Sequence, residues 1–137
     1  MLDEAVLDAS VAIKVFIDED GSEAARSLAA SGARFAAPEF VLAEITSVLL
    51  KRLRRGEVLR TYAESALERA RSLFDDLWPV ERLTRRAFAI AADHGTSAYD
   101  ALYLALAESK GCPLATADLR LVQRIAASGL AIDFWTP

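Results

Sequence analysis

The sequence predicts an α/β fold, with a mainly parallel sheet covered by helices on both faces. Three observations carry this. Short apolar runs of strand length alternate with longer segments of helical character. Helix-start and helix-stop residue types punctuate those segments. No repeat, low-complexity tract or linker-like stretch interrupts the alternation, so residues 1–137 read as a single domain.

Val6-Leu7 reads as a short buried strand, closed by Asp8 and followed by the helix-like Ser10 to Phe16. Ser22 opens a helix through Leu28 that stops near Gly32. Arg34-Phe35-Ala36-Ala37 is a second strand, ended by Pro38. Pro38-Glu39 then starts a long helix to Arg55, with Gly56 as its stop. Thr61 and Glu64 have capping-box spacing and open a helix toward Asp76. Trp78-Pro79-Val80 is a weak third strand, at an edge or first position because of its proline.

Arg82 to Asp93 is helical, and His94-Gly95 turns the chain. Ser97 and Asp100 form a second capping-box pattern, with Asp in place of Glu, before a nearly all-apolar helix through Ala107 that Gly111 ends. Leu114-Ala115-Thr116 is a fourth strand, Leu119 to about Ala127 a last helix, and Ile132 to Trp135 a final strand after Gly129.

Composition excludes several classes. At 137 residues and 53% hydrophobic the chain has ample apolar surface for one core, with a surplus that points to a surface shared with a partner. One cysteine, Cys112, excludes an intrachain disulfide and a multi-cysteine zinc site, and a reducing, cytoplasmic setting is the default. The start Met1-Leu2-Asp3-Glu4 lacks the basic and apolar regions of a signal peptide. No apolar run approaches the ~18 residues of a membrane span. A net charge of −4 argues against bulk attraction to nucleic acid, while leaving room for a local basic rim.

Four acidic residues stand where a segment changes character: Asp8, Glu44, Asp100 and Asp118. Each has a plain structural explanation. Asp8 and Asp118 are good helix N-caps, and Asp100 serves as the third-position partner of Ser97. Glu44 is harder to dismiss. Its helical neighbours Phe40, Val41, Ser47 and Val48 include no base, so no ion pair in its own helix holds its charge. In a parallel sheet Asp8 and Asp118 project at one edge, and Asp100 starts a helix there. Carboxylates converging in this way repel, and a divalent cation such as Mg²⁺ relieves the repulsion. Capping explains each acid; a metal site at the carboxyl ends of the strands explains the set. That chemistry is metal-assisted hydrolysis of a phosphodiester.

At these residues the chain resembles a PIN domain, and in particular the ribonuclease toxins of bacterial VapBC toxin–antitoxin pairs. The resembling segments are Leu7-Asp8-Ala9-Ser10-Val11-Ala12-Ile13-Lys14, Ala37-Pro38-Glu39 leading through Leu42-Ala43-Glu44, Ser97 to Ala105 around Tyr99-Asp100, and Leu114-Ala115-Thr116-Ala117-Asp118. The resemblance implies a three-layer α/β/α sandwich around a central parallel sheet. It also implies Mg²⁺- or Mn²⁺-dependent endonucleolytic cleavage of RNA, with Asp8, Glu44, Asp100 and Asp118 as the acidic quartet. Ser10 and Thr116 match hydroxyl positions that support the metal shell. A VapB-type antitoxin whose C-terminal segment crosses the active site, and a homodimer, are implied as partners. The alternative is a catalytically silent PIN scaffold that binds RNA or protein. Haloacid-dehalogenase-like phosphatases also place an aspartate after the first strand, but they need a second one two residues on, where Ser10 stands.

Lys51, Arg52, Arg54 and Arg55 crowd the end of the helix that bears Glu44, either complementing its dipole or contacting RNA phosphates. Lys14, Arg85, Arg86 and Arg120 are further candidates for a basic rim. His94, the only histidine, is expected in a surface loop, which leaves zinc and Ser-His-Asp chemistry without support. Cys112 reads as a small apolar residue, and Trp78 and Trp135 as core aromatics.

Overall fold

The computed structural model describes residues 2–137; Met1, the first residue of the acidic start, lies outside them. Five strands, β1 (Glu4–Leu7), β2 (Arg34–Pro38), β3 (Asp76–Trp78), β4 (Leu114–Ala115) and β5 (Phe134–Trp135), form one sheet in the order β3-β2-β1-β4-β5. Every neighbouring pair is parallel. Val6 of the central strand lies opposite Ala36 on one side and Leu114 on the other. The expected α/β/α sandwich is therefore the observed one.

The helices are α1 (Ala9–Phe16), α2 (Ser22–Ala29), α3 (Val41–Arg54), α4 (Arg60–Arg71), α5 (Thr84–His94), α6 (Ala98–Lys110) and α7 (Leu119–Ser128), with a short 3₁₀ turn at Val80–Arg82. Helix α6 packs on β1, β2 and β4 and is backed by α5. Its residues Ala101 to Ala107 are all buried. A helix apolar all round has no face for water and must be covered on every side. Burying Leu104 and Leu106 contributes roughly 1.5–3 kcal/mol each. That burial anchors the helix whose first turn presents Asp100.

Several expected boundaries shift, for physical reasons. Pro38 does not start a helix; it is the last residue of β2, opposite Trp78, and α3 begins at Val41. Thr61 and Glu64 do not form a capping box. Helix α4 starts at Arg60 behind an extended Leu59 with no side-chain cap, and Glu64 pairs instead with Arg60 at 2.6 Å. This helix is held by Ala63, Ala66 and Ala70 packed into the core, so packing rather than a cap sets its start. It ends at Arg71, well short of Asp76. Strand β3 stops at Trp78, and Val80 enters the 3₁₀ turn. The last strand is only Phe134–Trp135, because its partner β4 is itself two residues long. His94 closes α5 as its last helical residue, half-buried, and Gly95 makes the turn in a left-handed conformation. Glu4, part of the acidic lead-in, opens β1 and pairs with Lys110 at 2.8 Å, tying the end of α6 to the sheet.

Candidate active site

The strand order places a topological switch beside β1: the chain builds β2 and β3 on one side, then returns to build β4 on the other. Open α/β sheets bind ligands at such a crevice, beyond the carboxyl ends of the strands. Asp8 leaves β1 there and Asp118 follows β4 there, the two strands joined by the Leu7–Ala115 pairing. Glu44 lies in the first turn of α3 and Asp100 in the first turn of α6. Each acid thus sits at the positive end of a helix dipole, a favourable place for an anion.

The capping explanation holds for Asp8 and Asp118. Asp8 Oδ1 accepts from the Val11 amide at 3.2 Å, which caps α1. Asp118 Oδ1 accepts from the Arg120 and Leu121 amides at 3.1 Å each, capping α7. The Ser97 hydroxyl accepts from the Asp100 amide at 3.0 Å, so Ser97 caps α6 and leaves the Asp100 carboxylate free of cap duty.

Ser10 and Thr116 occupy supporting positions. Ser10 Oγ donates to Asp8 Oδ1 at 2.5 Å and accepts from the Ala117 amide at 2.9 Å. One hydroxyl therefore fixes the Asp8 carboxylate and clamps the loop after β4 against it. Thr116, fully buried, accepts from the Asp118 amide at 3.1 Å and also favours the charged form of Asp8.

The electrostatics run through neighbours in turn. Burial pushes the Asp8 carboxyl up to about 6, against the hydrogen bonds of Ser10, Thr116 and Val11, and Glu44 adds repulsion. Glu44 is raised by burial and by Asp100, and lowered by the Tyr103 hydroxyl. Asp100 is raised by burial and by Asp118, with Ser97 and Arg124 pulling the other way. Three acids at one crevice thus resist ionising, and repulsion links all four in a chain.

Tyr103 is a residue of the crevice that the sequence reading did not assign. Its hydroxyl donates to Glu44 Oε1 at 2.5 Å, and burial and Glu44 together push its own ionisation well above the usual range. The available signal was a lone phenol in an all-apolar helix, three residues after Asp100, since a buried tyrosine hydroxyl finds a partner. Arg124, which donates to the Gly95 carbonyl at 2.9 Å, is the other unassigned residue, a cation near Asp100.

Of the five leading basic candidates, two are committed to ion pairs. Lys14 contacts Glu19 at 3.1 Å and donates to the Asp20 carbonyl at 2.6 Å. Arg52 pairs with Glu19 and, at 3.2 Å, with Glu57. Lys51, Arg54 and Arg55 are exposed, roughly 10–16 Å along the α3 axis from Glu44. Arg86 forks onto Glu108 at 2.6 and 2.9 Å, while Arg85 and Arg120 are exposed.

The donor set is composed of carboxylate and hydroxyl oxygens, with no sulfur or imidazole in it, which fits a hard divalent cation. Among the described residues, no three acidic side chains are already gathered into a ligating cluster. No described helix is long and apolar enough to cross a membrane.

The chain is similar to known proteins over nearly its whole length. The PIN domain profile matches residues 5–127. It is 40% identical to ribonuclease VapC9 of Mycobacterium tuberculosis over 116 residues, covering 85% of this chain and 87% of that one. It is 32% identical to ribonuclease VapC3 of Pyrobaculum aerophilum over 124 residues, 89% of this chain and 95% of that one. A solved Pyrobaculum aerophilum structure superposes with a TM-score of 0.66 at 26% identity, covering 97% of this chain and 92% of the other. VapBC2 from Rickettsia felis, bound to a DNA fragment from its promoter, shares the fold at a TM-score of 0.67 and 15% identity, with 98% of each chain covered. With its sheet order, its acid-lined switch point and these likenesses, the chain belongs to the PIN-domain family, with VapC ribonucleases among its relatives.

Proposed function

We propose that this chain is a divalent-metal-dependent endoribonuclease and the toxin of a toxin–antitoxin pair, neutralised by a VapB-type antitoxin. The observation that carries the reading is the crevice at the β1–β4 switch point, which Asp8, Glu44, Asp100 and Asp118 line and where three of them are held above their ordinary ionisation range. The four carboxylates would hold Mg²⁺, with Mn²⁺ as a substitute. Such an ion supplies an activated water and a clamp on the phosphate oxygens.

The chain's own groups do the positioning. Ser10 and Thr116 orient Asp8, and Tyr103 orients Glu44, so the first carboxylates are preset on rigid elements. One carboxylate accepts the proton of the attacking water. The exposed Lys51, Arg54 and Arg55 give an RNA backbone a second point of contact. The protein acts in the cytoplasm as a homodimer in this reading, and its antitoxin crosses the crevice with a basic side chain, arginine being best suited to fork onto carboxylates.

One observation favours a silent binding scaffold: no three acids are drawn together as they stand. Cleavage of cellular RNA by the purified chain with Mg²⁺, with Mn²⁺ and with EDTA decides between them. Cleavage that requires the ion and disappears in Asp100→Asn is the expected result. RNA that binds but stays intact with either ion would leave the scaffold reading standing.

A further inference from the structure

Beside the carboxylates lies an aromatic group of which only Tyr103 serves the acidic quartet. Tyr99 and Tyr103 stand four residues apart on α6, so they share one stripe of that helix. Phe40, at the start of α3, touches both: its ring centre is 5.6 Å from that of Tyr99, tilted by 58°, and 5.2 Å from that of Tyr103, edge-on. The stripe runs from solvent to the site. Tyr103 is buried and ends on Glu44, whereas the Tyr99 ring is 65% exposed. Tyr99 immediately precedes Asp100, one step around the same first turn.

An exposed ring normally needs no explanation when it stands alone. This one is backed by Phe40, so its position is fixed while its outer face remains open. Fixed, solvent-facing aromatic rings are what single-stranded nucleic acids stack on, because every base has a π-face and the contact tolerates sequence. The crevice next to it is where a scissile phosphate would sit, and a base hangs one sugar away from each phosphate.

We propose that Tyr99, braced by Phe40, is the stacking platform for a nucleobase flanking the phosphate bound at Asp8, Glu44, Asp100 and Asp118. This rests on the ribonuclease reading above. Tyr99 is a positioning residue: it holds the strand so that one phosphate, and not its neighbour, meets the acids. The exposed ring of Tyr99, rather than the half-buried Trp78 or Trp135, is then the base contact of this chain.

The test compares binding of labelled oligoadenylate with that of an abasic ribose-phosphate chain of equal length, by fluorescence anisotropy with Ca²⁺ in place of Mg²⁺. The full chain, Tyr99→Ala and Tyr99→Phe are measured together, with melting temperature and sedimentation mass for each. The wild type should prefer oligoadenylate by about five-fold to about a hundred-fold, the range of one aromatic–base stack. Tyr99→Ala should lose that preference while keeping its affinity for the abasic chain, its melting temperature and its mass. Tyr99→Phe should keep the preference, since the ring and not the hydroxyl stacks. A preference that survives Tyr99→Ala overturns the platform. So does a change of mass in Tyr99→Ala, which would make the ring a subunit contact. A wild type that cleaves RNA but shows no preference sinks the platform alone. A wild type that neither binds nor cleaves RNA sinks the ribonuclease reading with it.

Discussion

Replacing Asp8 by asparagine should stabilise the metal-free protein at neutral pH, although the residue is buried and hydrogen-bonded. Asp8 is only 9% exposed, and its carboxyl lies at about 6 in the fold against an ordinary 3.8. A carboxyl raised in the folded state binds its proton more tightly there than in the unfolded chain. Stability therefore falls as pH rises from about 3.8 through about 6, and the whole penalty is present above that window. About two pK units correspond to roughly 3 kcal/mol. The asparagine oxygen can still accept from Ser10 and Val11, so most of the local bonding survives. The loss of a charge at the helix terminus offsets about 0.3–1 kcal/mol of the gain.

The remaining 2–3 kcal/mol corresponds to a rise in melting temperature of roughly 6–15 °C. Thermal melts in EDTA at pH 7.5 and pH 4.5 measure it. The gap between variant and wild type should shrink to about a third at pH 4.5, where most folded Asp8 is already protonated. Adding Mg²⁺ at pH 7.5 should reverse part of the gap, since the wild type gains about 1.4 kcal/mol at roughly ten times Kd and the variant much less. An asparagine variant that melts below the wild type in EDTA at pH 7.5, or a gap that ignores pH, would refute the assignment of Asp8 as a strained charge.

Further outcomes follow from the same contacts. Tyr103→Phe removes the hydroxyl that Glu44 accepts from, which should cost about 1.5–3 kcal/mol in urea unfolding and slow RNA cleavage with the fold intact. Ser10→Ala unclamps Asp8 from the Ala117 loop; Mn²⁺ titration calorimetry should show weaker binding, and the Asp8 carboxyl should move further up. Joint replacement of Lys51, Arg54 and Arg55 by alanine should leave stability unchanged but lower the salt dependence of RNA binding, by about 0.7 in log–log slope per lost phosphate contact. Arg52→Ala should behave oppositely, destabilising the fold through Glu19 and Glu57 with little effect on that slope.

What could be read from the sequence was local. Asp8, Ser97 and Asp118 cap their helices as their residue types and positions dictate, and the glycines at 95, 111 and 129 end helices in the left-handed conformation that favours glycine. The Thr61–Glu64 spacing satisfied the same rule and failed, because Arg60 engages Glu64 and buried alanines fix where α4 begins. The partner of Glu44 was out of reach for a different reason. Tyr103 lies 59 residues further on, and only the docking of α6 beside α3 brings the pair together. Likewise Lys14 and Arg52 were indistinguishable by type from their exposed neighbours until Glu19 was placed between them.

The Ser10–Ala117 clamp joins residues 107 positions apart. Asp8 precedes Asp118 in synthesis, so its neighbour across the switch point cannot exist until translation reaches Asp118. At about 5–20 residues per second, the interval is on the order of 5–20 s for each molecule. Throughout it the emerging chain has β1 without β4, and an acid crevice with one wall missing. Residues 114–118 therefore complete the crevice only after Asp8, Glu44 and Asp100 are already in the chain. The order of the strands acts as a timer on the completion of the crevice.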